Sequence, residues 1–233
     1  IEKSTFNSSG CTLNNAMPFY EQYFYTVSLN DKIYAVGGYQ PSRGYVNSLY
    51  EYNPDEDTWK PKSELSGETA SLVYVTRFDG EIYTMRKVVE NNAENDAEND
   101  SEGGTEGDIE DGKEIRWIIE KYNPITDTWS FLTDADCENV RNIVAVNKEI
   151  YIIEYNEAVS EEDAKDIPEG NTEEDNKKVR IQKYSPSDNA IITVLEKDFN
   201  WRYFHSVVID DEIYFIGGKK GRSLLSGIGE GMG

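Results

Sequence analysis

Apolar and polar residues alternate in short runs along this chain, and one unit of the pattern recurs four times. In each copy an apolar residue leads into a polar dipeptide, then a charged residue, then Ile-Tyr and further apolar residues; the copies span 29–34, 78–83, 146–151 and 209–214. The central dipeptides are rich in Asn, Asp and Gly, which tolerate the positive φ that tight hairpin turns require. The pattern therefore predicts four β-hairpins.

A second pattern follows three of these hairpins. Tyr52-Asn53-Pro54 precedes Trp59, Tyr122-Asn123-Pro124 precedes Trp129, and Tyr184-Ser185-Pro186 precedes Ile191, each with a spacing of seven residues. Proline favours a turn, so the pattern predicts a third and a fourth strand in each unit. The first residues resemble an altered copy of this pattern, in which Ser4 and Cys11 occupy the Tyr and Trp positions. We therefore expect the sequence to begin within the third strand of a unit.

These residues resemble the kelch repeat. The segments 33–38 and 213–218 are similar to the double-glycine strand of that family, Tyr52 and Trp59 to its aromatic positions, and 16–18 to its inter-blade linker. The resemblance implies an all-β, kelch-type β-propeller in residues 1–218, with three full four-stranded blades, a half-blade at each end, and a Gly-rich tail at 219–233. Two arrangements stay open: a fragment of a larger propeller, or terminal half-blades that pair and close a four-bladed ring.

The chain also departs from the family pattern. Arg86-Lys87 and Glu154-Tyr155 replace the double glycine in the second and third full blades. The family often has Arg at the start of the innermost strand, whereas the matching positions here are Glu21, Ala70, Glu138 and Trp201. A preference for acidic peptides read by those arginines therefore does not carry over.

The net charge of −22 is concentrated in two segments. Residues 90–114 hold 11 acidic residues and one Lys, and residues 157–178 hold nine acidic residues and three Lys. Their low apolar content predicts disordered inserts between the second and third strands of two blades. An alternative is a flexible arm for a basic partner or for Ca²⁺, which favours carboxylate ligands. No basic stripe is present, so a nucleic-acid partner is not expected.

The candidate contact residues lie on one loop face. In an up-and-down blade, the connection between strands two and three opens beside the inter-blade linkers. The short connection at 39–46 supplies Tyr39, Arg43 and Tyr45, and the linker before the last hairpin supplies Trp201, Arg202 and Tyr203. Tyr, Trp and Arg are enriched at interaction hot spots, so these residues predict a surface for a protein or a small carbohydrate-like ligand. The alternative is ordinary loop packing.

Three classes of function follow from the sequence. A binding or scaffolding module is favoured, because no catalytic constellation, cofactor site or metal site is apparent. A sugar-isomerising, mutarotase-like kelch enzyme is the second hypothesis, with Glu21, Glu138, Arg141 and His205 as candidate channel residues. Copper radical oxidases of this fold need two His ligands, and the chain has one His. The third hypothesis is a Ca²⁺-linked cell-surface adhesion module.

The cellular location is only weakly indicated by composition. Frequent Asn, Asp and Tyr with two Cys favour a secreted or cell-surface bacterial protein, and an intracellular location stays open. No apolar run approaches the ~20 residues needed to span a bilayer, so no membrane span is predicted.

Overall fold

The regular secondary structure of the described residues consists of β-strands. The computed structural model describes residues 3–7, 10–14, 17, 21–69, 71–91, 113–156, 178–198 and 204–217, which contain nineteen strands. The predicted inserts and the Gly-rich tail lie outside these ranges, except that residues 90, 91, 113, 114 and 178 belong to strands.

Three sheets, here called blades 1 to 3, repeat the same antiparallel order of four strands, and the second contains a fifth, short strand. Blade 1 contains β3 (Tyr25–Leu29), β4 (Lys32–Val36), β7 (Leu49–Asn53) and β8 (Thr58–Pro61). Blade 2 contains β10 (Tyr74–Phe78), β11 (Glu81–Asn91), β12 (Lys113–Asn123) and β13 (Thr128–Ala135), and β9 (Glu68–Thr69) also pairs with β11. Blade 3 contains β14 (Val140–Val146), β15 (Glu149–Asn156), β16 (Lys178–Ser185) and β17 (Ala190–Asp198).

Three two-stranded sheets complete the described structure. These pair β1 (Lys3–Asn7) with β2 (Gly10–Asn14), β5 (Tyr39–Gln40) with β6 (Gly44–Tyr45), and β18 (Phe204–Ile209) with β19 (Glu212–Gly217). The predicted architecture of three full blades with a two-stranded sheet towards each end is therefore confirmed.

The four predicted hairpin turns have the expected backbone geometry. Both central residues of each turn have positive φ, between 49° and 75°: Asn30 and Asp31, Asp79 and Gly80, Asn147 and Lys148, Asp210 and Asp211. Two consecutive positive φ angles define the type I′ turn, whose twist matches that of the flanking strands. The local sequence thus fixes the register of the first two strands, as in the pairing of Leu29 with Lys32.

The chain divides into two compact units, each with its own core. The first contains Ile1–Cys137 with Tyr184–Ile191, and the second contains Glu138–Lys183 with Ile192–Gly233. In the first unit, side chains of blades 1 and 2 and of the segment between them form one buried cluster: Leu29, Tyr34, Val36, Leu49, Leu65, Val73, Val75, Ile82 and Tyr122. In the second, Val144, Val146 and Ile153 pack with Phe204 and Phe215.

The tyrosine of each third strand locks the turn that follows it. Tyr52, Tyr122 and Tyr184 are buried, and their hydroxyls donate to the side-chain oxygens of Asp57, Asp127 and Asn189 at 2.5, 2.6 and 2.9 Å. Each acceptor has a φ between 52° and 56°. The ring of each of the first two tyrosines also packs on the Trp seven residues later, with centroids 4.8 and 5.1 Å apart. The Tyr-to-Trp spacing thus encodes a closed hairpin between strands three and four.

The locked turn also hydrogen-bonds residues in, or just after, the fourth strand of the preceding blade. Asp127 Oδ1 accepts the backbone N–H of Ser63 at 3.0 Å, and the Ser63 hydroxyl donates to the Asp127 carbonyl at 2.7 Å. Asn189 repeats this role, donating to the Leu132 carbonyl at 3.0 Å. Burial by itself would raise the pKa of Asp127, but the hydrogen bonds from Tyr122 and Ser63 and the charge of Lys62 hold that pKa below its usual range.

Replacing Asp127 should therefore weaken the first unit. We expect Asp127→Ala to lower the free energy of unfolding by roughly 1–2 kcal/mol, because it removes two hydrogen bonds of a partly exposed carboxylate. Asp55→Ala is the control, since the Asp55 side chain is exposed and makes no hydrogen bond within the described residues. Urea denaturation of both variants at neutral pH measures the effect.

The stabilising effect of Asp127 should also depend on pH. A carboxyl whose pKa is lowered by folding contributes stability above its unfolded pKa of about 3.9 and loses that contribution as the pH falls through the folded pKa. The stability difference between wild type and Asp127→Ala should therefore shrink below about pH 4. A difference that grows in acid would contradict the assignment.

Candidate binding surface

In each of the three blades, the entering linker is hydrogen-bonded to the end of the second strand or to the residues that directly follow it. In blade 1, Gln22 and Tyr39 exchange two backbone hydrogen bonds, of 2.9 and 2.7 Å. In blade 2, β9 pairs with β11, and in blade 3 the Tyr155 N–H donates to the Asn139 carbonyl at 3.0 Å. The linker therefore lies beside the connection between strands two and three in blade 1, and beside the second strands β11 and β15 in blades 2 and 3.

The double glycine of blade 1 permits this contact and redirects the chain. Gly37 and Gly38 follow β4 with φ values of 61° and 133°. A β-carbon on Gly38 would lie 3.1 Å from the Gln22 carbonyl oxygen and 3.3 Å from side chains of the same linker. The backbone thus approaches the linker more closely than a larger residue allows. Beyond it the chain forms the short hairpin β5–β6.

The predicted residues Tyr39, Arg43 and Tyr45 meet on this hairpin. Tyr39 pairs directly with Tyr45 in the β5–β6 register, and the two rings meet edge to face with centroids 5.5 Å apart. Tyr45 is 40% exposed. The backbone N–H of Arg43 donates to the Gln40 carbonyl and closes the turn, while its exposed side chain makes no hydrogen bond or ion pair within the described residues. The hairpin thus presents two tyrosines and a guanidinium on a fixed backbone.

Tyr23 is a surface residue that the sequence analysis missed. It is 69% exposed and has a φ of 55°, a conformation that is unfavourable for a bulky residue. Backbone strain of this kind clusters at binding sites, where the surrounding structure holds it in place. Here the neighbouring residue Gln22 is fixed to Tyr39 by two hydrogen bonds. No sequence signal identifies Tyr23, because its conformation is imposed by a contact with a strand further along the chain.

A half-buried carboxylate lies beneath the hairpin. Glu21 accepts hydrogen bonds from the Ser48 hydroxyl at 2.8 Å and from the Gln40 amide at 3.3 Å. Burial raises the pKa of Glu21, partly offset by these two hydrogen bonds. Glu21 stands where the family often has Arg, and in this chain the carboxylate braces the base of the hairpin.

The other predicted residues fall in different parts of the chain. Trp201, Arg202 and Tyr203 lie outside the described residues. Of the proposed channel residues, Glu21 belongs to the first unit and the others to the second. Arg141 stacks over the ring of Tyr155 at 6.0 Å, and His205 is an exposed residue of β18.

The described part of the chain has neither a cluster of metal ligands nor a membrane-spanning helix. It contains no group of three or more His, Cys, Asp or Glu side chains arranged to hold a metal ion. Among the same residues, no helix is long and apolar enough to cross a membrane.

The fold and the repeated linker contacts define a class of protein. Four-stranded antiparallel sheets, each hydrogen-bonded to the linker that enters it, are the blades of a propeller-type repeat protein. Residues 24–66 match the family model for the Kelch motif, which confirms the resemblance to kelch-repeat proteins. No curated protein matches the chain.

The extent of the match agrees with the structural differences between blades. Residues 24–66 contain all four strands of blade 1, which is the blade with Gly37 and Gly38. In blades 2 and 3 the first of those glycines is replaced by Arg86 and Glu154, and the second strand continues straight through the position.

Gly38 should be far less tolerant of substitution than Gly44 at the tip of the hairpin. We expect Gly38→Ala to lower the free energy of unfolding by about 2–3 kcal/mol, because it combines a disallowed φ with a clash against the linker. Gly44 has a φ of 83°, and a β-carbon added there would meet no atom within 4 Å, so Gly44→Ala should cost only about 1 kcal/mol. Equal losses in denaturant melts would show that the close approach to the linker is unimportant.

Proposed function

We propose that this chain is a protein-binding module and that blade 1 carries its contact surface. The surface consists of Tyr23, Tyr39, Arg43 and Tyr45, and is called the tyrosine surface below. The observation that carries the proposal is that exposed Arg43 and Tyr45 and half-buried Tyr39 share one hairpin, whose backbone is hydrogen-bonded to the entering linker next to exposed Tyr23. Kelch-type repeats commonly act as protein-binding scaffolds, which supports the same conclusion.

The residue types suit a protein partner. Tyr and Arg dominate interaction hot spots, and a tyrosine offers a large contact area while losing little conformational entropy. The Arg43 guanidinium can donate two parallel hydrogen bonds to a carboxylate or to backbone carbonyls of a partner. The hairpin is fixed before binding, which lowers the entropic cost of association.

A protein partner is favoured over a small carbohydrate-like ligand. Sites for small ligands are usually concave and enclose most of the ligand surface. The tip of the β5–β6 hairpin, formed by Pro41, Ser42 and Arg43, is instead exposed. Such a projecting element suits a partner that is large enough to enclose it. The predicted contribution of Trp201, Arg202 and Tyr203 to the same surface stays a prediction.

Peptide selection tests this proposal directly. A displayed library of random dodecapeptides is selected against the wild-type chain, and the dissociation constants of the enriched peptides are measured by fluorescence anisotropy. We expect Arg43→Ala and Tyr45→Ser to weaken binding at least about tenfold, the size of a hot-spot effect. Tyr23→Gly should weaken binding without destabilising the fold, because glycine relieves the positive φ.

The matched control is Phe131→Ser in β13, which removes another exposed aromatic side chain from a different blade. This variant should bind the peptides within about twofold of wild type. Peptides that bind the Arg43 and Tyr45 variants as tightly as wild type, while losing affinity for the Phe131 variant, would place the contact surface elsewhere.

A further inference from the structure

Blades 2 and 3 place a buried charge where blade 1 has the glycine that ends its second strand. Gly37 follows the last residue of β4, whereas the corresponding residues Arg86 and Glu154 lie inside β11 and β15. Both charged side chains have no exposed surface. Blades 2 and 3 therefore both have a charged residue in place of the glycine, but the charge is positive in blade 2 and negative in blade 3.

In blade 2, Arg86 binds both the third strand and the entering linker. Its Nε and Nη2 atoms each lie 2.9 Å from Glu120 Oε2 in β12. The same guanidinium donates to Thr69 Oγ1 at 2.8 Å and to the carbonyl oxygen of Ser66. The Ser66 hydroxyl in turn donates to Glu120 Oε1 at 3.1 Å. Both members of the ion pair thus hold the linker segment that contains β9.

In blade 3, the polarity is reversed. Glu154 accepts two hydrogen bonds from Arg180 in β16, at 2.8 Å to Oε1 and 3.0 Å to Oε2. Glu154 Oε2 also accepts the backbone N–H of Glu138, which belongs to the entering linker, at 2.9 Å. A cation in blade 2 therefore meets a linker carbonyl, and an anion in blade 3 meets a linker amide.

We propose that these two ion pairs are linker clamps, in which the charge of the strand-two residue is matched to the backbone group that the linker presents. A buried ion pair by itself is seldom a net source of stability, since both charges must leave water. As clamps, the ion pairs hold the linker through polar contacts. In blade 1 the linker is instead held by a close backbone approach that the glycines allow. In blades 2 and 3, strands two and three can then continue past this point as an extended arm.

The arm of blade 2 has the support that this explanation requires. Beyond Arg86, β11 pairs on one side with β9, through Val88 with Thr69 and Val89 with Glu68. On its other side it pairs with β12 as far as Asn91 with Lys113. Five residues of strand extend the arm by about 17 Å at the usual rise of ~3.3 Å per residue. The clamp thus lies at the base of a three-stranded extension.

A charge swap separates the clamp from a simple ion pair. The double variant Arg86→Glu with Glu120→Arg keeps opposite charges side by side but places a carboxylate against the Ser66 carbonyl. We expect amide hydrogen exchange in β9 and in residues 88–91 to accelerate at least about tenfold, which reports local opening of these strands. The swapped pair Glu81→Lys with Lys121→Glu is the control, since this 2.7 Å pair contacts no linker, and it should keep wild-type exchange in the arm.

Two milder variants keep the test decisive if the swapped protein fails to fold. Arg86→Met removes the guanidinium contacts with Thr69 and Ser66 and leaves only the hydrogen bond from the Ser66 hydroxyl to Glu120, whereas Glu120→Gln leaves Arg86 in contact with Ser66 and Thr69. We expect Arg86→Met to lose the protection of β9 and residues 88–91, and Glu120→Gln to retain most of it. Equal loss in both variants, or near wild-type protection in the swapped protein, would show that ion pairing alone matters and would overturn the proposal.

Discussion

Each of the three blades depends on a backbone contact between the linker that enters it and the end of its second strand, or the residues that directly follow that strand. Blade 1 makes the contact through Gln22 and Tyr39, blade 2 through β9 and β11, and blade 3 through Asn139 and Tyr155. Backbone groups removed from water need partners, so this contact determines where the second strand can end or continue. It also fixes the position from which the connection to the third strand leaves the blade.

The chain satisfies this constraint in two chemical ways. Blade 1 uses glycines, which bring two backbones together and turn the chain at once into a short hairpin. Blades 2 and 3 use buried charged side chains that hydrogen-bond the linker, and their second strands continue past this position. The first solution gives a small hairpin that carries the tyrosine surface, and the second gives longer strands that lead towards the acidic segments. The differences among blades are therefore concentrated at the end of the second strand, which in blade 1 leads into the tyrosine surface.

Much of the fold follows from local sequence because its determinants are close together in the chain. The two central residues of each hairpin turn, such as Asn30 and Asp31, form the turn because both tolerate a positive φ. The Tyr122 hydroxyl donates a hydrogen bond to Asp127, which is only five residues later in the chain. Three residues of the proposed surface, whose role in binding stays a prediction, could be chosen by residue type and by their place in the repeat: Tyr39, Arg43 and Tyr45. Tyr23 could not, because its backbone conformation depends on a contact with Tyr39. The partners of Arg86 and Glu154 were also missed, since no periodicity indicates which buried charges will meet.

The most direct test of this account is amide hydrogen exchange of the wild-type protein, resolved to single residues by NMR. The hydrogen bonds between linker and second strand predict that the amides of Gln22, Tyr39 and Tyr155 exchange as slowly as those within the neighbouring strands. The amide of Ser42, at the exposed tip of the hairpin, should exchange much faster. If the amides of Gln22, Tyr39 and Tyr155 exchanged as fast as that of Ser42, the linkers would not be held against the blades, and the proposed surface would lack its support.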